Sequence, residues 1–437
     1  MKQSRKVWII LIVLFATLLC RAQTYNMVTV KGSQFFIGDK PYYYIGANYW
    51  YGGIVGNNTK GRQRIREELD FLLRRGVTNL RVLAGAEGTG KINGVDRVSP
   101  PLQPSKGIFD NNLLSGLDFL LLEMGKRNMK AIIYLSNNWE WSGGFLQYLN
   151  WNGLLRDSIM RRKLNWDEMR DYVSRFYECA PCRQQYAKQV ALLVNRKNIL
   201  TGRAYKDDAT IMAWELANEP RPMRPAAAPQ YIKWIGDAAT YIKSIDKNHL
   251  VTTGCEGEMG TESMPLFESM HRNANIDYAT IHIWPKNWSW FKDTAIGNNI
   301  EGIIAKTVAY IDKHAATLRA VGKPLVIEEF GLPRDGHAFT VTATTRWRDV
   351  FYGAIFNKLL SNVKQQGVIA GCNFWGFSGS GRPSGRQLFW EKGDDVLADP
   401  PQEEQGLNSV FNSDNSTWNI IEMFTTQIKK VNEAKNK

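Results

Sequence analysis

Short apolar segments alternate with helix-like segments along almost the whole chain, and this alternation limits the possible folds more than any other feature. Eight apolar runs have the length and composition of buried strands, at residues 41–51, 78–85, 130–137, 211–219, 250–257, 278–285, 324–331 and 368–377. Between most of them, apolar residues recur every three or four positions, as on one face of a helix. Eight such units are typical of a parallel barrel. We therefore predict an α/β fold, a single (β/α)8 TIM barrel.

The connections of this predicted barrel differ in length. A long insertion over residues 138–181 separates the third strand from its helix, so we expect extended strand-to-helix loops. No Pro-rich or Ser-rich linker interrupts the pattern. The prediction is therefore one domain over residues 23–437.

The first 22 residues have the pattern of a targeting segment. Three basic residues lie within the first six, and an apolar run too short to span a membrane follows over residues 7–19. We predict a signal peptide over residues 1–22, cleaved after Ala22, and export to the periplasm or to the cell exterior. A lipoprotein anchor on Cys20 is the alternative. No later segment reaches the length of a membrane span, so we expect no stable membrane insertion.

Composition excludes some partners and cofactors. The net charge is +13, but without a Lys/Arg-rich run or a nucleic-acid motif we expect no nucleic-acid partner. The 15 Trp, 17 Tyr and 19 Phe residues suit stacking on sugar rings, although large barrels also bury many aromatic residues. Cys179 and Cys182 are spaced to close a small loop. No group of residues has metal-ligand spacing, so no metal and no cofactor is expected.

Polar residues follow or end each of the eight apolar runs. In a parallel barrel the carboxyl ends of all strands meet on one face, where the active site forms. The residues at these ends are Asn48, Arg81, Asn137 and Asn138, Asn218 and Glu219, Glu256, His282, Glu329 and Trp375.

Two carboxylates stand out among them. Glu219 and Glu329 end the fourth and seventh runs, which lie on opposite sides of an eight-stranded ring. Glycoside hydrolysis needs two carboxyl groups that flank the scissile bond, one protonated and one ionised. A single such Glu would more often pair with a neighbouring Arg or Lys. Two at opposing strand ends favour catalysis.

The motifs around these residues resemble glycoside hydrolase family 5 of clan A. The resemblance rests on Ala-Asn-Glu219-Pro, Glu329-Phe-Gly and Arg81 within Asn-Leu-Arg-Val, and it covers essentially the whole chain after residue 22. Further segments are similar to the endo-β-1,4-mannanase branch. They are Asn-Glu-Pro-Arg221, Leu-Gln-Pro-Ser105, His282-Ile-Trp-Pro-Lys-Asn-Trp288 and Asp-Pro-Pro-Gln402.

The resemblance implies a role for each matching residue. Glu219 matches the general acid/base and Glu329 the nucleophile. The others match groups around the bound sugar: Asn218 at its 2-hydroxyl, Arg81 keeping the nucleophile ionised, His282 lining the pocket, Trp375 as a stacking platform and Arg221 on the leaving-group side.

Other positions carry weaker expectations. Many family members have Tyr where this chain has Trp284, so its role in the pocket is open. Trp50 and Trp139 are candidate stacking residues, and Glu256 ends the fifth strand. Alternation along the seventh strand predicts that the side chain of Glu328 points to the opposite face from that of Glu329.

The resemblance implies a retaining endo-β-1,4-mannanase that acts on mannan, glucomannan or galactomannan through a covalent glycosyl-enzyme. The expected partner is a β-mannan polysaccharide or oligosaccharide, and the expected state is a monomer. The alternatives are a β-1,4-glucanase of the same fold, an exo-acting enzyme that releases mannobiose, and a glycan-binding protein without turnover.

Overall fold

A computed structural model describes residues 27–292 and 294–434 of the 437-residue chain. The predicted signal peptide, with Cys20 and Ala22, lies outside the described residues. Within them, no helix combines the length and the apolar composition needed to cross a membrane.

The core of the fold is a ring of eight parallel strands. Barrel strands one to eight are Tyr44–Asn48, Asn79–Leu83, Lys130–Tyr134, Ile211–Glu215, Leu250–Thr252, Ala279–Ile283, Leu325–Phe330 and Ile369–Phe374. Their order is five, four, three, two, one, eight, seven, six. A parallel bridge between Thr252 and Tyr278 joins strands five and six and closes the ring. Each strand lies within one of the predicted runs, so the predicted TIM barrel is confirmed.

Backbone and side-chain hydrogen bonds together hold the joint between barrel strands five and six. Asp277 N donates to Val251 O at 2.8 Å, and His282 N donates to Glu256 O at 3.0 Å. The Thr252 hydroxyl donates to the carbonyl of Tyr278 (2.9 Å), and the Thr280 hydroxyl donates to the carbonyl of Cys255 (2.8 Å). Only one backbone bridge pairs the two strands. These hydroxyls therefore supplement a short backbone ladder.

An N-terminal hairpin, which the sequence patterns did not indicate, adds to the barrel interior. Its strands are Val28–Lys31, Gln34–Ile37 and the short Lys40–Pro41. Val28 and Phe35 from the hairpin belong to one buried cluster with residues of the barrel strands, including Ile132, Met212 and Val326. The hairpin thus supplies part of the apolar core inside the ring.

Within the described residues, eight helices outside the insertion after strand three have eight or more residues and surround the ring. They are Thr59–Arg74, Asn111–Lys126, Ala180–Val194, Ala228–Ile245, Met264–His271, Ile296–Val321, Arg346–Lys364 and Asn415–Ala434. The first is typical: the Asn58 side chain accepts a hydrogen bond from Gly61 N, and Ile65, Leu69 and Leu72 are buried on one face. Only Met264–His271 lacked a clear pattern, because eight residues cover barely two turns.

Long loops at the carboxyl ends of the strands carry further short elements, as predicted. The insertion after strand three holds helices Gly144–Trp151, Asp157–Met160 and Trp166–Val173 and the 3-10 turns Glu140–Ser142 and Ser174–Tyr177. A disulfide joins Cys179 to Cys182 at its end. The remaining short elements are helices Gly52–Val55 and Glu258–Thr261, strands Lys91–Ile92, Val95–Asp96, Phe377–Gly379 and Val410–Phe411, and 3-10 turns Tyr205–Asp207, Pro225–Ala227 and Asp335–His337.

Candidate active site

A cavity of about 550 Å³ opens at the carboxyl ends of the barrel strands. It gathers residues from strands four to eight and from the insertion after strand three. Eight of the residues predicted from the sequence line it: Trp139, Asn218, Glu219, Arg221, Glu256, Trp284, Glu329 and Trp375. Arg81 and His282 are fully buried and contact its two central carboxylates.

Glu329 receives two hydrogen bonds from fixed N–H donors. Arg81 Nη1 donates to Oε1, and Trp284 Nε1 donates to Oε2 at 3.0 Å. Both donors favour the ionised carboxylate, one of them with a full positive charge. This contact gives Trp284, whose role the sequence left open, a definite place in the site.

A β-bulge in barrel strand seven explains why the prediction for Glu328 is wrong. Along the pairing with strand six, Ile281 faces Ile327, but His282 faces Glu329, so Glu328 is an extra residue. The bulge interrupts the strict alternation of side chains. Glu328 Oε2 consequently lies 3.6 Å from Arg81 Nε and 3.5 Å from His282 Nε2. Both neighbouring carboxyls therefore contact Arg81.

Glu219 lies four residues beyond barrel strand four, with a positive φ of 50°. This left-handed conformation is uncommon for a residue other than glycine, and such residues often mark functional sites. The side chain receives a hydrogen bond from Trp139 Nε1 at Oε2, and His282 Nδ1 lies 2.7 Å from Oε1. Burial lowers the pKa of His282 well below its usual value, so this imidazole is neutral.

The two carboxyl groups face each other at close range. One oxygen of Glu219, one oxygen of Glu329 and a ring nitrogen of His282 all lie within 4.8 Å of one another. Burial raises the pKa of both carboxyls, and the charge of Glu219 raises that of Glu329 further. The pair therefore holds a proton readily. Since the cationic Arg81 bonds to Glu329, we assign that proton to Glu219.

The same three residues have the chemical types that can bind a metal ion. Their surroundings fit a cation poorly. Arg81 already supplies a positive charge at Glu329, and Trp284 directs an N–H group at the same carboxylate. A second cation at this place would face the guanidinium at short range.

Arg81 also bonds to a carboxylate beneath the cavity. Its Nε and Nη2 atoms donate to Glu215 at 2.9 Å and 2.6 Å, in a bidentate pair. Nη2 further donates to Asn218 Oδ1 at 2.8 Å, and the Asn218 amide donates to Asn137 Oδ1 at 3.1 Å. These bonds fix the position of the guanidinium that contacts Glu329 and of the Asn218 amide.

A second ion pair borders the cavity. Arg221 Nη2 donates to Glu256 Oε1 at 2.7 Å, and the guanidinium lies 4.9 Å from the ring centre of Trp139. The same guanidinium is 5.9 Å from the ring of Trp166, which is half exposed at the mouth. Arg221 therefore stacks on Trp139 and borders Trp166, and Glu256 holds it in place.

Trp375 and Trp50, both predicted to contact sugar, differ in their positions. Trp375 lines the cavity, with its ring 5.7 Å from that of Trp284 at 75°. Trp50 lies outside the lining residues and is only 1% exposed. Its ring packs on Trp141, and its N–H group donates to Ala398 O at 2.8 Å. The expectation of sugar stacking by Trp50 is therefore wrong, because its ring faces are covered by protein.

The loop after barrel strand eight contributes two polar groups, Gln402 from the Asp-Pro-Pro-Gln402 segment and its neighbour Glu403, neither of which had been selected as a site residue. Gln402 and Glu403 line the cavity opposite the insertion loop. Burial raises the pKa of Glu403 to about 8. Asp399 anchors this loop, since it accepts hydrogen bonds from Gly406 N at 2.8 Å and Asn408 N at 3.0 Å.

Comparison with known proteins shows the family of the chain. The model of a family described as "GH family 5 beta-mannosidase-like" matches residues 25–433. The chain belongs to this family. Its family 5 relatives include putative mannan endo-1,4-beta-mannosidase 9 of Oryza sativa subsp. japonica, 31% identical over 385 residues and covering 84% of each chain. Mannan endo-1,4-beta-mannosidase 1 of Arabidopsis thaliana is 31% identical over 374 residues, which cover 82% of this chain and 83% of that one.

A solved structure is similar over nearly its full length. The crystal structure of a glycoside hydrolase family 5 mannosidase from Rhizomucor miehei superposes with a TM-score of 0.85 and 30% identity. The match covers 94% of this chain and 99% of that chain. Together with the named relatives, it shows that this family 5 chain is a mannanase-type glycoside hydrolase.

Three residues of this family 5 enzyme were not selected as site residues from the sequence alone. Glu215 lies four residues before Glu219 in the apolar run over residues 211–219, where a charged residue inside a predicted buried strand was a usable signal. Glu403 directly follows the quoted Asp-Pro-Pro-Gln402 segment. Trp166 had no signal, because its place depends on how the insertion packs.

Proposed function

We propose that the protein is a retaining endo-β-1,4-mannanase and that Glu329 and Glu219 carry out a double displacement. The spacing of the two carboxyls is the observation that carries this proposal, since one oxygen of each lies within 4.8 Å of the other. Retaining enzymes hold their carboxyls about 5–5.5 Å apart, whereas inverting enzymes need about 6.5–9.5 Å to admit a water molecule. The short spacing favours direct attack by a carboxylate.

In the first step, Glu329 attacks the anomeric carbon while Glu219 gives its proton to the leaving glycosidic oxygen. The glycosidic bond breaks, and a glycosyl ester forms on Glu329. In the second step, Glu219 takes a proton from water as the water oxygen attacks the same carbon. The ester bond breaks, and both carboxyls return to their starting states. Arg81 and Trp284 stabilise the carboxylate that attacks first and leaves last.

Several features support a β-mannan substrate. Trp139, Trp284 and Trp375 present aromatic surface around the carboxyl pair, which suits stacking on the C–H faces of sugar rings. The named relatives are mannan endo-1,4-beta-mannosidases. All of the groups described belong to one chain, so we propose that it acts as a monomer.

The test compares β-mannan with carboxymethyl cellulose, using wild-type protein and Glu329→Ala. Wild type should release reducing sugar mainly from mannan, and Glu329→Ala should lose several orders of magnitude in kcat while it still binds mannooligosaccharide. Asp39→Ala, at an exposed surface ion pair, is the control variant. Greater activity on the glucan would overturn the substrate assignment. Unchanged turnover in Glu329→Ala would overturn the mechanism.

A second candidate is exo-action on chain ends. The match with the Rhizomucor miehei mannosidase, over 99% of that chain at a TM-score of 0.85, favours it. The insertion with Trp166 and the loop with Glu403 border the cavity and could limit its length. Early products from a long mannan separate the two candidates. Mixed oligosaccharides support endo cleavage, and a single short product supports exo cleavage.

We further propose that the protein is exported after cleavage near Ala22. The N-terminal sequence pattern supports this. The disulfide between Cys179 and Cys182 also supports it, since such bonds persist in oxidising compartments. N-terminal sequencing of protein recovered from the periplasm and the medium tests the proposal; a mature chain that still begins at Met1 would overturn it.

A further inference from the structure

All five N–H groups of the Arg81 guanidinium already have acceptors. The side chain is fully buried and presents one N–H at Nε and two at each Nη atom. The acceptors are Glu215 Oε2 for Nε, Asn48 Oδ1 and Glu329 Oε1 for Nη1, and Glu215 Oε1 and Asn218 Oδ1 for Nη2. Arg81 therefore has no N–H group left for a further carboxylate.

Glu328 is the neighbouring carboxyl that receives no hydrogen bond from Arg81. It is fully buried, and neither of its oxygens receives a hydrogen bond from an N–H or hydroxyl donor among residues 27–292 and 294–434. The titratable and charged groups around it are Arg81, Glu215, Glu329, His282, Tyr44 and Tyr278. An ionised carboxylate buried without donors is strongly disfavoured, whereas a protonated carboxyl brings its own donor.

Glu215 is the acceptor that the geometry offers, because Oε2 of Glu215 and Oε2 of Glu328 lie 2.9 Å and 3.6 Å from the same atom, Arg81 Nε. Burial raises the pKa of Glu328 well above its usual value, and the charge of Glu215 raises it further. A hydrogen bond between the two carboxyls favours the protonated form of Glu328 and the ionised form of Glu215. This agrees with the geometry, because Glu215 already accepts two bonds from Arg81 and is the better anion.

We propose that Glu328 is a positioning residue that keeps its proton throughout turnover and donates it in a hydrogen bond to Glu215. Glu215 is thereby held in its bidentate pair with Arg81, and Arg81 is held against Glu329. An ionised Glu328 would instead add a negative charge beside the nucleophile and favour its protonation. The tests of this inference that measure activity rest on the proposed hydrolytic function.

Glutamine substitution tests which carboxyl carries the proton, because an amide is neutral and still has a donor. Glu328→Gln should keep kcat/KM within about threefold of wild type and leave the acidic limb of the pH profile in place. Glu215→Gln should lower kcat/KM by roughly 10- to 100-fold, as losses of supporting partners typically do. It should also move the acidic limb to lower pH, since Arg81 then acts on Glu329 alone.

A buried carboxyl with full donors provides the matched control. Glu68 accepts hydrogen bonds from Arg64 Nε at 2.8 Å, the Tyr49 hydroxyl at 2.6 Å and Ser380 N at 2.9 Å. Infrared spectra at neutral pH should therefore lose a carboxylic-acid carbonyl band in Glu328→Gln and none in Glu68→Gln. This readout requires no turnover, so it still tests the inference if the chain hydrolyses no β-mannoside.

Four results would overturn the proposal. The first is an acidic limb that moves to lower pH in Glu328→Gln, which would show that Glu328 had been ionised. The second is an unchanged kcat/KM in Glu215→Gln together with a large loss of kcat/KM in Glu328→Gln, which would place the proton on Glu215. The third is an infrared band that survives in Glu328→Gln. The fourth is failure of Glu328→Gln to fold while Glu68→Gln folds, because a neutral donor at position 328 is what the proposal assigns to the native protein.

Discussion

Replacing Trp284 by Phe removes one of the two N–H groups that bond to Glu329 while keeping an aromatic ring in the cavity. The indole nitrogen lies 3.0 Å from Glu329 Oε2, and both side chains are largely buried. The bond favours the ionised carboxylate and so lowers the pKa of Glu329, against the effect of burial. Its loss should raise the pKa of Glu329, the proposed nucleophile.

The size of the effect follows from the charge on the acceptor. A hydrogen bond to a charged group contributes about 1.5–3 kcal/mol. One pKa unit corresponds to about 1.4 kcal/mol, so the pKa of Glu329 should rise by about one to two units. A nucleophile with a raised pKa is protonated at higher pH, and activity is lost on the acidic side. The acidic limb of kcat/KM should therefore move up by about one to two pH units.

The assay is kcat/KM on a soluble mannooligosaccharide across the pH range, for wild type, Trp284→Phe and two controls. Trp284→Tyr restores a donor and should return the limb toward its wild-type position. Trp288→Phe changes a tryptophan of the same cavity that makes no hydrogen bond to Glu329, and should leave the limb in place. An unmoved limb in Trp284→Phe would refute the assignment of this bond to the nucleophile.

Two further predictions concern the acid and the fold. Trp139→Phe removes the N–H bond that lowers the pKa of Glu219. Glu219, the proposed acid, should then keep its proton to higher pH, and the basic limb of the kcat/KM profile should move up by about one pH unit. A basic limb at the wild-type pH would contradict this. Asp414→Ala leaves the buried Arg334 without its 2.6 Å partner and should lower the free energy of unfolding by about 3–5 kcal/mol in urea. Asp39→Ala, at an exposed pair, should change it by less than about 0.5 kcal/mol, and equal losses in both variants would refute the contrast.

The strands were predictable from the sequence, but their ends were not. The apolar run over residues 211–219 predicts one strand, whereas the backbone ladder ends at Glu215. The four residues that follow lie beyond the regular strand. Leu216 N still donates to Thr252 O at 3.0 Å, Asn218 forms an isolated bridge with Asn137, and Glu219 has a positive φ. Apolar composition indicates burial, and burial continues past the end of the regular strand. Most of the other predicted runs also extend past the end of the observed strand.

The chemistry of the central residues was predictable because their residue types and motifs are distinctive, but their contacts were not. Alternation failed at Glu328 because a bulge adds one residue to a ladder without leaving a mark in the sequence. The sequence does not distinguish the burial of Trp50 from that of Trp166. Only tertiary packing covers the first and exposes the second.

The ring of strands has its shortest ladder beside His282. Between strands five and six, a single backbone bridge is supplemented by two threonine hydroxyls and by two backbone bonds, from Asp277 N to Val251 O and from His282 N to Glu256 O. His282, which contacts Glu219, lies on the sixth strand two residues beyond Thr280. Deuterium uptake on mild heating should therefore begin at this joint, and inactivation by heat should precede loss of the helical signal, because the acid loses its alignment before the barrel unfolds.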